Sequence, residues 1–252
     1  VGGRGGIGTG FRELLLQSPS NVVLSTSRNA QWVKEQQTDR HHTFEMDATK
    51  ESHFPGLAER LKKVKFHPNV VIVSTGILKP KDGSVKPETS IKRISHESIF
   101  YNVEKNVLPT ALTLKYIMAE KDVVPPSSDS GVFATLSAKV GSISDNRSGG
   151  WFSYRMSKAA VNQLIRSATF DHEFSKKRPG WRFLALHPGT VQSELSEPYY
   201  GKKVDKLISD VNVELDPAAY NYMTKEVACN AMWRNLLERA LMGDPAIKNG
   251  HL

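Results

Sequence analysis

The clearest chemical signal in the chain is Tyr154-Arg155-Met156-Ser157-Lys158, which sets a phenol and an ammonium four residues apart. Residues at that spacing meet on one face of a helix. A free phenol ionises near ~10 and is a poor proton donor or acceptor at neutrality. A nearby ammonium favours the phenolate and is expected to lower that pKa. Such a pair can pass a proton to or from a carbonyl or alcohol oxygen. The spacing also fits two surface residues of an ordinary helix, so its meaning rests on the residues around it.

A second group opens the chain, in Val1-Gly2-Gly3-Arg4-Gly5-Gly6-Ile7-Gly8. Gly2, Gly6 and Gly8 are spaced G-x-x-x-G-x-G. Glycines allow a tight turn and a close backbone approach, and a following helix offers free N–H groups to a pyrophosphate. The apolar spacing of Ile7, Phe11, Leu14 and Leu15 supplies that helix. Ser27-Arg28-Asn29 then ends a strand-like run. An acidic residue there would hold a ribose 2′-hydroxyl, whereas an arginine suits a 2′-phosphate, so NADPH is expected over NADH. Asp47-Ala48 lies where an adenine contact is expected, although an aspartate at a strand end also serves turns.

The elements that must hold these residues alternate along the chain. Asn21–Ser27, Thr43–Asp47, Val70–Ser74, Val132–Ser137 and Arg182–His187 read as strands. Ile7–Gln17, Glu51–Val64, Ser98–Glu120, Ser153–Ser175 and Lys225–Leu241 read as helices. Short apolar runs separated by helical stretches indicate parallel strands with crossover helices, an α/β fold. The segment Lys79–Thr89 is polar, contains Pro80, Gly83 and Pro87, and reads as an exposed excursion. Residues 197–217 have weak periodicity and read as a lid over a substrate. One domain over 1–252 is expected from the length.

Composition narrows the class. The chain has 252 residues, 39% of them hydrophobic, and a single cysteine, Cys229, so no intrachain disulfide can form. This fits a reducing compartment, and a cytoplasmic location is expected. No apolar run approaches the roughly 20 residues of a spanning helix, and no signal peptide is visible. Net charge is +8, from 34 basic and 26 acidic side chains. The basic clusters (Lys62-Lys63, Lys176-Lys177-Arg178, Lys202-Lys203) are short and scattered. They read as solvated surface, with neither nucleic acid nor membrane as partner.

In order along the chain, the glycine turn, Arg28, Asp47, Gly76, Asn106, Ser142, Tyr154/Lys158 and Pro188-Gly189-Thr190-Val191 resemble the short-chain dehydrogenase/reductase family. The stretch LSAKVGSISDNRSGGWFSYRMSKAAVNQL is similar to its branch of sniffer-type carbonyl reductases and C-factor-like proteins. The resemblance implies a Rossmann-type, doubly wound parallel sheet with helices on both faces. It implies hydride transfer between a nicotinamide and a carbonyl carbon. Tyr154 would be the acid in reduction, Lys158 would lower its pKa and hold the nicotinamide ribose, and Ser142 would hydrogen-bond the substrate oxygen. Asn106 would hold a water that extends the proton path. Val191 and the Pro188–Thr190 turn would hold the carboxamide. No metal is implied.

The resemblance leaves alternatives. Ser137-Ala138-Lys139-Val140-Gly141 puts alanine where the family's second serine stands. Ser142, 12 residues before Tyr154, is therefore chosen, with Ser137 and Ser144 as competitors. Asn102 competes with Asn106. Val73-Ser74-Thr75-Gly76 stands for Asn-Asn-Ala-Gly, so valine replaces the asparagine that supports the sheet. Only Val1 precedes the glycine turn, and Met242–Leu252 shows no strand pattern, so the sheet is expected to lack its first and last strands. Trp151, Phe152, Tyr199 and Tyr200 lie where substrate-side residues are expected. Stripes at Val107, Ala111, Leu114, Met118 and at Val161, Leu164, Ile165, Ala168 read first as core faces, with a homodimer expected from the family. The substrate class is a small or medium carbonyl compound or the corresponding alcohol. A nucleotide-binding regulatory protein with little turnover is the alternative.

Overall fold

The computed structural model describes residues 1–80, 82–126, 130–191, 195 and 222–247. The expected lid, with Tyr199 and Tyr200, lies outside them. Five strands form the body: β1 (Val23–Ser27), β2 (His41–Glu45), β3 (Val70–Val73), β4 (Gly131–Leu136) and β5 (Trp181–Leu186). β1 pairs with β2, and β4 lies between β3 and β5, all parallel. Val1–Gly3 lies between the two groups. The Val1 nitrogen donates to Ile72 O at 2.7 Å, Ser74 N–H donates to Val1 O at 2.9 Å, and Gly3 N–H donates to Thr26 O at 3.0 Å. The order is thus β2, β1, residues 1–3, β3, β4, β5, with the winding direction reversing at the glycine turn.

Side chains alternate across this sheet as the two-residue period requires. Val132, Ala134 and Leu136 of β4 face one cluster with Phe11, Cys229, Met232 and Leu237, while Phe133 faces another with Phe54, Leu61, Met118 and Ile165. All six residues of β4 are buried, as expected for a strand covered on both faces. The covering helices are α1 (Gly6–Leu16), α2 (Ala30–Glu35), α3 (Phe54–Lys63), α4 (His96–Asn106), α5 (Leu108–Thr113), α6 (Phe152–Thr169), α7 (His172–Lys177), α8 (Lys225–Met232) and α9 (Glu238–Leu241). Fully burying each large side chain contributes about 1.5–3 kcal/mol.

Several expectations change. The long helix expected over Ser98–Glu120 is broken between α4 and α5, because Pro109 has no N–H for the Lys105 carbonyl. Its continuation, Leu114–Met118, is π-helical. Of the two stripes, Val161, Ile165 and Met118 are buried in this chain's own core and Leu114 and Ala168 pack against it, while Val107, Ala111 and Leu164 are half-buried. Strand β2 runs over His41–Glu45, two residues ahead of the expected Thr43–Asp47. Helix α2 is not among the expected helices, although Asn29 caps it, accepting from Trp32 N–H at 2.7 Å. The segment over residues 79–89 is not wholly an exposed excursion, since Glu88 is buried. Residues 242–247 form turns, and the short pair β6 (Thr190–Val191) with β7 (Tyr222–Met223) lies ahead of α8.

Candidate active site

Tyr154 and Lys158 sit on the buried face of α6. Lys158 is 2% exposed and Tyr154 is 8% exposed. Lys158 Nζ donates to the Leu136 carbonyl at the end of β4, at 2.9 Å, and lies 5.7 Å from the centre of the Tyr154 ring. Burial lowers the Lys158 pKa to about 8. Burial also pushes the Tyr154 phenol up to about 12. This reverses the expectation that the ammonium would lower it: in this buried site, withdrawing a phenolate from water outweighs the attraction of an amine turned toward a carbonyl. The phenol is therefore protonated at neutral pH.

Gly76 follows β3 and faces this pair. A Cβ at Gly76 would lie 3.3 Å from Lys158 Nζ and 3.8 Å from Asn106 Oδ1. Asn106, at the end of α4, accepts from Ile77 N–H at 2.8 Å and donates to Ile77 O at 3.0 Å. Its amide also contacts Asn102 Oδ1 and Ser157 Oγ, each at 3.1 Å. The side chain thus bridges the loop after β3 to α6, and Asn102 supports it from one turn back. Ser157, three residues after Tyr154, donates to the Tyr154 carbonyl at 2.8 Å.

The serines separate by environment. Ser137 is buried and donates to Asn162 Oδ1, which commits it to the scaffold. Ser142 sits in the loop after β4, near Ser144 Oγ (3.4 Å), and accepts from Asp145 N–H at 3.3 Å. Gly141 brings that loop against α6, since a Cβ there would lie 2.8 Å from Lys158 Cβ. Ser144 is exposed.

The glycine turn stands beside Gly76. Gly2 has φ +87°, and a Cβ on it would lie 3.1 Å from Thr75 Cγ2. A Cβ on Gly8 would collide with the Gly2 carbonyl and lie 2.6 Å from Ser74 Oγ. Ser74 Oγ lies 3.0 Å from Val1 O and 3.1 Å from Gly2 O, so a hydroxyl one residue after the core residue Val73 secures the turn. Gly6 starts α1, Gly5 gives it no side-chain cap, and its first turn has no acidic residue, which leaves N–H groups for an anion. Ile7 is half-buried, and Arg4 is exposed beside the turn.

At the end of β1, exposed Arg28 lies near Asp47. Burial opposes ionisation of Asp47, but hydrogen bonds from Thr49 and the charges of Arg28 and Lys105 prevail and lower its pKa. Asp47 Oδ1 accepts from Thr49 N–H and its hydroxyl, a local turn, while Ala48 is buried in the core. On the other side, Pro188–Val191 follows β5. Gly189 has φ +74°, and a Cβ on it would strike Met223 Cε. Burial and then the charge of Lys139 lower the His187 pKa. Cys229 fills the space opposite Gly10, and burial pushes its thiol up to about 12, so it is a packed residue.

A cradle closed to Cβ atoms, an uncapped helix start and an exposed glycine at a buried lysine together fit an extended, phosphate-bearing ligand. No group of three or more metal-ligating side chains occurs among the described residues. No helix among them is long and apolar enough to cross a membrane.

The chain is 25% identical over 191 residues to a 1-hydroxy-2-glutathionyl-2-methyl-3-butene dehydrogenase of Rhodococcus sp. (strain AD45), covering 76% of this chain and 69% of that protein. It is 41% identical over 66 residues to C-signal of Myxococcus xanthus, covering 26% and 37%. Its fold matches NADPH-bound carbonyl reductase from chicken fatty liver (TM-score 0.70, 21% identity, 100% and 93% covered). It also matches the carbonyl reductase Sniffer of D. melanogaster (0.65, 20% identity, 89% and 94% covered). A further match is a short-chain dehydrogenase/reductase from Burkholderia multivorans with bound NADP (0.61, 25% identity, 76% and 78% covered). A family model described as short chain dehydrogenase spans residues 1–203, and the chain belongs to that family.

Proposed function

We propose that the protein is an NADPH-dependent reductase of a small or medium carbonyl compound. The observation that carries the reading is the buried Tyr154/Lys158 pair, with Lys158 Nζ beside the open Gly76 position and the glycine turn next to it. NADPH, when bound, would supply the hydride to the carbonyl carbon. Tyr154 would donate its proton to the carbonyl oxygen as negative charge builds there, and its high pKa keeps that proton available at neutral pH. Ser142 would hydrogen-bond the same oxygen. Lys158, near its own pKa at mildly alkaline pH, would return a proton toward Tyr154.

Gly2, Gly6, Gly8 and the start of α1 would take the pyrophosphate, with Arg4 beside it. Arg28 would meet a 2′-phosphate, Asp47 and Ala48 the adenine, Gly76 and Lys158 the riboses, and Pro188–Val191 the carboxamide. NADP in the Burkholderia structure and NADPH in the chicken structure support the choice of cofactor. A homodimer through α4 and α6 is part of the reading and is tested by sedimentation at several concentrations.

The test is a fluorescence titration with NADPH and NADH, followed by NADPH oxidation with a panel of aldehydes and ketones. Preference for NADH would overturn the role of Arg28. The match to C-signal favours a second reading, a nucleotide-binding regulatory protein. Tight NADPH binding without oxidation on any carbonyl would select it.

A further inference from the structure

Glu88 belongs to the polar segment between β3 and α4, yet it is 2% exposed. Its carboxylate accepts from Ser98 Oγ at 2.7 Å, from Ser153 N–H at 3.3 Å, and from Ser153 Oγ. Its main-chain carbonyl accepts from Trp151 N–H. Ser98 belongs to the capping box that starts α4, and Ser153 is in the first turn of α6. One loop side chain therefore ties together the starts of the two helices that carry Asn106 and Tyr154.

The entry into α6 needs such a tie. Gly149, Gly150 and Trp151 have φ of +61°, +66° and +51° in succession. Glycine accepts this region freely, but a tryptophan there stores about 1–3 kcal/mol of strain and persists only when its surroundings impose it. Trp151 gives α6 no side-chain cap, so the Glu88 carboxylate serves the Ser153 N–H instead. Arg155 holds the outer side of the same turn, donating to Gly150 O at 2.8 Å and Gly149 O at 2.9 Å. The result sets the Trp151 ring edge-on to Tyr154 at 6.3 Å, and Tyr154 follows Ser153 directly.

We propose that Glu88 is a positioning residue for the Tyr154 phenol, acting through Ser153 and Trp151 by geometry rather than by its charge. This rests on Tyr154 being the proton donor. A displacement of about 1 Å at a reacting group can cost up to about 100-fold in rate.

Glu88→Ala, Glu88→Gln and Tyr154→Phe are compared below their melting temperatures, with kcat, NADPH affinity, pH profile and amide hydrogen exchange measured. Glu88→Ala is expected to lower kcat by about 10- to 100-fold, with NADPH affinity and the pH profile in place. Exchange over residues 151–155 should rise while that over 161–169 holds. Glu88→Gln, which keeps an acceptor for Ser153 N–H, should retain most of kcat, and it carries the test if Glu88→Ala does not fold. Wild-type kcat and exchange in Glu88→Ala would overturn the proposal. So would a Glu88→Gln variant that is as slow as Glu88→Ala with a shifted pH profile. Normal turnover in Tyr154→Phe would instead remove the underlying reading of the phenol, with the exchange result still deciding whether Glu88 holds the turn.

Discussion

Replacing Lys158 by methionine should separate stability from activity, with a pH signature. Lys158 is almost completely buried, and its pKa falls from an ordinary 10.5 to about 8. At about 1.4 kcal/mol per pH unit, keeping the ammonium charged inside the folded chain costs about 3 kcal/mol below pH 8. The sign follows from proton binding. Between pH 8 and 10.5 the unfolded chain holds the proton and the folded chain does not, so this group makes stability rise with pH across that window. Roughly 2–3 kcal/mol of the rise falls between pH 7 and pH 10. Tyr154 acts oppositely above pH 10, where the unfolded phenol ionises and the folded one, at about 12, does not; that effect is shared by both proteins. Lys158→Met lacks the ionisable group and keeps similar volume. Urea unfolding of both proteins at pH 7, 8, 9 and 10 should show the variant as stable as or more stable than wild type at pH 7. Wild type should then gain roughly 2–3 kcal/mol on the variant by pH 10, while the variant's turnover is lost throughout. A stability difference that does not change with pH would refute the account of a buried, strained ammonium.

Gly8→Ala should destabilise by about 1–3 kcal/mol, because its methyl meets the Gly2 carbonyl and Ser74 Oγ, and should weaken NADPH binding in a fluorescence titration; unchanged affinity would remove the glycine turn from the cofactor site. Asn106→Ala leaves Ile77 N–H and O without their side-chain partner and should cost about 1–3 kcal/mol in urea unfolding. Ser142→Ala should lower kcat by about 100-fold with little effect on stability, whereas Ser137→Ala, which removes the donor to Asn162 Oδ1, should mainly lower stability. The reverse ranking would move the substrate contact to Ser137.

The residues that mark this fold in the sequence are those whose chemistry is local. The short apolar run in Val132–Ser137 announces a strand covered on both faces, and Gly2 and Gly8 announce a tight turn, because hydropathy and absence of a Cβ are properties of the residues themselves. The Tyr154/Lys158 spacing likewise places both groups on the buried face of α6. What stayed hidden depends on distant partners. Ser74 secures the glycine turn one residue after the valine that looked like a loss. Asn106 uses its side chain on Ile77, and Gly141 lets the Ser142 loop approach Lys158. Glu88, in a segment whose polarity and prolines indicate exposure, is buried because two helix starts supply its hydrogen bonds. Burial also reverses the phenol's expected shift, since residue spacing carries no information on how much water a site retains.

The central claim, that Tyr154 is the proton donor of a cofactor-dependent reduction, is tested most directly by measuring turnover and NADPH affinity together in Tyr154→Phe. Loss of the hydroxyl should lower kcat by about 10²- to 10⁴-fold while NADPH binds as in wild type. Turnover at the wild-type rate with the cofactor still bound would contradict the account.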